Sequence, residues 1–177
     1  MSNLISLARS IALESHKGQK YGLQPYSIHL EAVDAVLCGF GYEDHEELRA
    51  AAWLHDTDYT LWMLIGVGIP IYVVALVDAV TNQPGVNRAA KHVLTYPRIA
   101  RIPDAVTLKL ADRLANVRAS VTDRPDLLKM YAREHAEFIK AMPFKERDED
   151  MRRELRSLIK VEAREEYIQG FAGENMV

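Results

Sequence analysis

Apolar residues recur along the chain at helical rather than strand spacing. Leu4, Leu7, Ala8, Ile11 and Ala12 form a stripe at intervals of three and four. That stripe predicts an N-terminal helix, broken at Gly18 and in the loop Tyr21-Gly22-Leu23-Gln24-Pro25. A second helix is expected from Ser27 as N-cap, with Ile28, Ala32, Val33, Val36 and Leu37 inward and Gly39-Phe40-Gly41 as its stop. Asp44 is expected to cap a third over Glu46 to His55. Leu61 to Val77 contains Gly66, Gly68 and Pro70 and is shorter than the ~20 residues that span a bilayer, so it reads as two buried segments around a bend. A helix over Ile71 to Val80 ends in Thr81-Asn82-Gln83-Pro84-Gly85, where Pro84 and Gly85 mark a turn. Pro103 suits the first position of a helix over Asp104 to Ser120, with Val106, Leu110, Leu114 and Val117 on one side. Leu127 to Ala141 and Arg147 to Tyr167 bring the expectation to about seven or eight helices. Gly170 to Val177 reads as a frayed tail.

The fold class this predicts is all-α, a single compact helical bundle. No repeat, low-complexity tract or Ser/Gly linker divides the chain, so residues 1–142 read as one unit and 143–177 as its helical extension. Composition agrees: 49% of the 177 residues are hydrophobic and 27% charged, enough for a core and against disorder. Nine Gly and seven Pro disfavour a turn-dense β fold. The net charge of -3 lacks the footprint of a nucleic-acid binder, and the charges of the last helix read as a solvated face. The single cysteine, Cys38, and the lack of a signal-like N-terminus lead to a cytoplasmic expectation without a membrane partner. Within Leu61 to Ile71, the residues Trp62, Met63 and Ile65 read first as core and second as a subunit contact, which leaves a homo-oligomer open.

Candidate chemistry lies in four positions. His55-Asp56 ends an Ala/Leu-rich helix, where two ionisable groups must face water or find a partner. His29 precedes them, and Asp112 follows with Asn116 one helical turn further on. Two imidazoles and two carboxylates converging from three helices suit a divalent ion such as Mn, Fe, Zn or Mg. Spacing alone leaves caps and ion pairs as an equal reading.

The segments His16-Lys-Gly-Gln-Lys-Tyr-Gly-Leu-Gln-Pro-Tyr-Ser-Ile-His29, Ala-Ala-Trp-Leu-His55-Asp56 and Lys109-Leu-Ala-Asp112-Arg-Leu-Ala-Asn116 resemble the HD-domain metal-dependent phosphohydrolases. More narrowly, they are similar to the small stand-alone relatives of SpoT/Rel-type (p)ppGpp hydrolases. The likeness extends through Leu76-Val-Asp-Ala-Val-Thr, Asn87-Arg88 and Thr95-Tyr-Pro-Arg to Met130-Tyr-Ala-Arg-Glu-His135 and covers about residues 5 to 140. It implies an HD-domain bundle in which His29, His55, Asp56 and Asp112 ligate one divalent metal, usually Mn. Such an ion lowers the pKa of a coordinated water and polarises a phosphoryl oxygen. The substrate implied is a small-molecule nucleotide, with Lys20, Arg88 and Lys91 as candidate phosphate contacts, Tyr21 to stack on a base and Asn116 near the sugar or a phosphate.

The pattern also breaks. The family's Glu-Asp pair after HD is missing from His55-Asp56-Thr57-Asp58-Tyr59-Thr60, which leaves Asp58 as the nearby carboxylate able to act as base; a turn or cap role for it is an equal reading. Lys20-Tyr21 stands where the larger enzymes carry a guanine-stacking Arg. The leading expectation is pyrophosphohydrolysis of a (p)ppGpp-type nucleotide. The alternatives are a small HD nucleotidase or dNTP triphosphohydrolase, and a degenerate module that binds nucleotide without turnover.

Overall fold

The structure, a computed structural model, describes residues 3–85 and 87–160. Helix α1 (Asn3–Ser15) leads into a small antiparallel hairpin of β1 (Lys20–Tyr21) and β2 (Gln24–Pro25), paired Lys20 to Pro25 and Tyr21 to Gln24. Gly22, at a φ of +61°, makes the two-residue turn between them. Then come α2 (Ser27–Gly39), α3 (Glu46–Leu54), a short α4 (Leu61–Gly66) and α5 (Ile71–Val80). After these lie α6 (Arg88–Ile99), α7 (Pro103–Asp123), α8 (Pro125–Ala141), a 3-10 turn (Glu146–Asp148) and α9 (149–160). The expected all-α bundle is what forms.

The centre of the bundle is α7, which packs against α2, α3, α5, α6 and α8. Pro103 starts it, Asp104 places an acid in its first turn, and no glycine interrupts its 21 residues. From Asp104 to Val117 every side chain is buried except Lys109 and Asn116. A helix enclosed on nearly all sides must be apolar nearly all round. Leu108, Leu110 and Leu114 accordingly meet Leu30 and Leu37 of α2, Leu48 and Leu54 of α3 and Leu76 of α5 in one core. Each such side chain contributes about 1.5–3 kcal/mol by burial.

The register between α2 and α3 is held by polar groups. Arg49 makes a two-pronged contact with Asp34, Nε to Oδ1 at 2.7 Å and Nη2 to Oδ2 at 3.0 Å, and the Trp53 indole N–H donates to the same carboxylate at 3.3 Å. His29 and His55 ride on these two helices.

Several local expectations are corrected. Ser27 begins α2 rather than capping it, and the N-cap is Tyr26. At α3 the N-cap is His45, without a side-chain bond, while Asp44 offers only its backbone carbonyl to Glu46. The bend within Leu61 to Val77 is present but the burial is partial: Leu64, Ile69, Val73, Val74, Leu76 and Val77 are inside, whereas Trp62 is 82% exposed and Ile71 75%. A 17-residue uncharged run has no polar face to mark its outer side. Helix α6 forms despite Pro97, opened by Asn87, whose side chain accepts from the Ala90 N–H at 2.9 Å. In the C-terminal part, Asp148, Met151 and Leu155 are fully buried, so residues 143–160 pack onto the bundle. The expected helix beyond residue 160 and the frayed tail lie outside the described residues.

Candidate metal centre

Three elements bring the donors together. His29 sits in the first turn of α2, His55 stands at the C-cap of α3 with Asp56 next to it, and Asp112 projects from mid-α7. The His29 Nε2 lies 3.3 Å from Asp112 Oδ1 and 3.7 Å from Asp56 Oδ2. The His55 Nε2 lies 3.2 Å from Asp56 Oδ2 and 3.7 Å from Asp112 Oδ1. Donor atoms of His29, His55 and Asp112 all fall within 4.8 Å of one another, as ligands around one small cation must.

The His55 ring is oriented by the end of its own helix. Carbonyls in the last turn lack helical partners, and Ala52 O takes the Nδ1–H of His55 at 2.8 Å. Nδ1 therefore carries a proton, and Nε2 is the nitrogen turned into the site, where an ion would take the place of its proton. This Nε2 is buried and makes no hydrogen bond, an orphan that a metal ion satisfies. The donor set therefore fits a divalent cation.

Electrostatics agree. Burial alone would push the His55 pKa down, but the carboxylates of Asp56 and Asp112 hold it up at about 10. Burial opposes ionisation of Asp112 too, yet Lys109 and the two imidazoles hold it well below the ordinary carboxylate range. Asp56 is likewise depressed, its burial outweighed by His55. The cluster stabilises positive charge between its carboxylates.

Surrounding groups fix these four side chains. The Tyr26 hydroxyl donates to Asp56 Oδ2 at 2.6 Å, while its ring stacks on His16 at 4.4 Å and meets His29 edge-on at 5.7 Å. Lys109 Nζ lies 2.8 Å from Asp112 Oδ2, and Asn116 Nδ2 donates to Asp112 Oδ1 at 2.6 Å. Residues 109, 112 and 116 share one face of α7 by helical spacing, which explains why only Lys109 and Asn116 interrupt its burial.

Tyr26, His29, Asp56, Lys109, Asp112 and Asn116 line a cavity of about 260 Å³ together with Arg88, His92, Tyr96, Arg113 and Tyr131. There Glu134 bridges two cations, accepting from Arg88 Nε at 2.6 Å and lying 3.5 Å from Arg113 Nη1. Burial keeps the His92 pKa below its ordinary value, so this imidazole is neutral at pH 7. An adjoining cavity of about 200 Å³ shares Asn82, Arg88 and His92 and adds Lys91.

Of the residues expected to bind substrate, Arg88 and Asn116 line the metal cavity and Lys91 the adjoining one. Lys20 lines a separate hollow with His16 and Tyr26. The Tyr21 ring lies flat on His29 at 5.0 Å, and its hydroxyl donates to Asn116 Oδ1 at 2.9 Å. One face of Tyr21 is thus already taken, by the His29 ring rather than by a base. Asp58 is not on the cavity wall: its Oδ1 accepts from the Ser15 hydroxyl at 2.5 Å, and its N–H donates to the same oxygen at 3.2 Å. Sequence reading passed over Tyr26, Lys109 and Glu134. Tyr26 stands three residues before His29 and Lys109 three before Asp112, a spacing that signals a shared face; Glu134 carried no such local sign.

No protein-family model matches the chain, and no curated protein matches it. Solved structures do, among them that of a metazoan orthologue of SpoT that hydrolyses ppGpp and plays a role in starvation responses. The two align with a TM-score of 0.69 at 21% identity, covering 90% of this chain and 96% of the other. This likeness shows the fold, and the resemblance to small SpoT/Rel-type hydrolases that the motifs carry is one of backbone as well.

Proposed function

We propose that this chain is a metal-dependent phosphohydrolase acting on a nucleotide, with a (p)ppGpp-type pyrophosphate ester as its substrate. The observation that carries the reading is the convergence of His29, His55 and Asp112, with Asp56 beside both imidazoles, at a buried, unsatisfied imidazole nitrogen next to a cavity that Lys109, Arg88 and Arg113 also line. The SpoT-like fold supports it.

A divalent ion held by these four residues, Mn first among the candidates, would supply an acidified water and polarise the phosphoryl group. The chain's own residues do the rest. Lys109 and Arg88 place positive charge at the cavity, where phosphate oxygens bind and charge develops during transfer. Asn116 holds the Asp112 Oδ1 in place while Tyr21 holds Asn116. A cavity of about 260 Å³ is below the ~300–1,000 Å³ of pockets that enclose a drug-sized ligand, so it receives the phosphates and leaves the base to the adjoining space near Lys91.

The test is incubation of Mn-loaded protein with ppGpp and with a panel of nucleoside and deoxynucleoside phosphates, followed by product identification. Release of pyrophosphate from ppGpp is expected. Triphosphate release from a dNTP would reassign the substrate. A second reading, binding without turnover, rests on one observation: besides the ligands Asp56 and Asp112, no carboxylate lines the cavity among the described residues. A rise in melting temperature with ppGpp, without product from metal-loaded protein, would establish that reading.

A further inference from the structure

The stretch from Leu61 to Tyr72 presents an apolar face that the fold does not cover. Trp62 is 82% exposed, Ile71 75%, Met63 49%, Val67 45%, Tyr72 40%, Ile65 38% and Leu61 37%. Of the larger apolar side chains in that span only Leu64 and Ile69 turn inward. No Asp, Glu, Lys or Arg occurs from Leu61 through Val77. Trp62 alone offers on the order of 200 Å². The seven exposed side chains together offer roughly 700 Å², of the order of the ~800 Å² that each partner gives a standard interface.

We propose that this face, formed by α4, the Val67–Pro70 bend and the start of α5, is the contact surface between two copies of this chain. Area and charge select that occupant. The patch matches what each half of a stable dimer provides. The stretch itself carries no charge, and only at its edge does the Tyr72 hydroxyl meet one, donating to Asp104 at 2.8 Å; the face thus makes little demand for a charged partner, and self-association across a twofold axis sets the same apolar patch against itself. Homodimer interfaces are the more apolar class, and aromatic residues such as Trp62 are their characteristic anchors. An anionic membrane surface, by contrast, is met by Lys and Arg flanking the apolar face, and none lies within this stretch.

The face begins five residues after Asp56, so a second copy seated on it would also immobilise the connection that leaves the metal centre.

The experiment is sedimentation of the full chain from about 1 to 100 µM, alongside Trp62→Glu and Val67→Lys, each separately. Both positions are exposed on the single chain, so both variants should keep the wild-type circular dichroism spectrum, which shows that the protomer still folds. The wild type is expected near 40 kDa, twice the 20.1 kDa of one chain, and each variant should raise the dissociation constant by at least ~30-fold. A wild type that remains at 20.1 kDa throughout overturns the proposal, as does a dimer that both variants leave intact. A monomer that sediments with phosphatidylcholine vesicles overturns it in favour of lipid.

Discussion

Tyr26 tests how far the metal centre depends on groups that do not themselves ligate. Its hydroxyl donates at 2.6 Å to Asp56 Oδ2, the same oxygen that faces both imidazoles. The Asp56 side chain is 38% exposed, and among the described residues this phenol is its side-chain donor apart from the histidines. Replacing Tyr26 by Phe removes the bond and keeps the ring, which still stacks on His16 and still meets His29 edge-on. A hydrogen bond to a charged acceptor contributes about 1.5–3 kcal/mol. Water can replace part of that at a half-exposed carboxylate, and Asp56 must then be re-ordered when the ion binds at about 0.5–1 kcal/mol of side-chain entropy. The net loss of metal affinity is about 1–2 kcal/mol, or roughly 5–30-fold.

Competition for Mn²⁺ against a fluorescent chelator at fixed pH measures this loss directly. The metal-free variant should lose no more than about 1 kcal/mol of stability, a fall in melting temperature of roughly 2–4 °C. Tyr26→Ala should weaken Mn²⁺ further, because the His29 contact goes with the ring. An affinity for Tyr26→Phe within twofold of wild type would refute the reasoning, since Asp56 would then be oriented without the phenol or would not be a ligand.

Three further outcomes are expected. Asp148 is fully buried and accepts from Tyr42 at 2.8 Å, from Thr107 at 3.1 Å and from the Lys145 N–H at 3.1 Å. Asp148→Ala should therefore cost about 3–5 kcal/mol in urea unfolding, with Asp148→Asn intermediate because its Oδ1 keeps two of the donors, and a loss below about 1 kcal/mol would count against the network. Asp104 is buried, which works to raise its pKa, but bonds from Lys145 and Tyr72 and the nearby His45 hold it below the ordinary value of 3.8. Its contribution is thus complete above that value and is lost as the pH falls through the lower folded pKa, so melting temperature below about pH 4 should drop less steeply in Asp104→Asn than in wild type; parallel curves would remove Asp104 from the acid response. Arg88→Ala should raise KM for the nucleotide about 10–100-fold with a smaller effect on kcat, and an unchanged KM would show that Arg88 does not hold phosphate.

Legibility in the sequence followed the range of the contacts. Spacing brings His29 in a first turn, His55-Asp56 at a helix end and Asp112 with Asn116 one turn on forward as candidates, but leaves caps and ion pairs as an equal reading; the likeness to HD-domain phosphohydrolases is what joins them as one metal site. Tyr26 and Lys109 obey the same spacing and could have been read with them. What surrounds the centre depends on residues far away in the chain. Asp58 turns from the cavity because of Ser15, 43 positions earlier, and Arg88 is set by Glu134, 46 positions later. Neither pairing has any periodic signature. The exposed face from Leu61 to Tyr72 failed for another reason. Periodicity separates inside from outside only where apolar and polar residues alternate, and a run with no charge carries no such contrast. Without that contrast Trp62, Met63 and Ile65 read first as core and only second as a subunit contact. An uncharged apolar run left on the surface of one fold is the pattern expected when part of the core is completed by a second molecule.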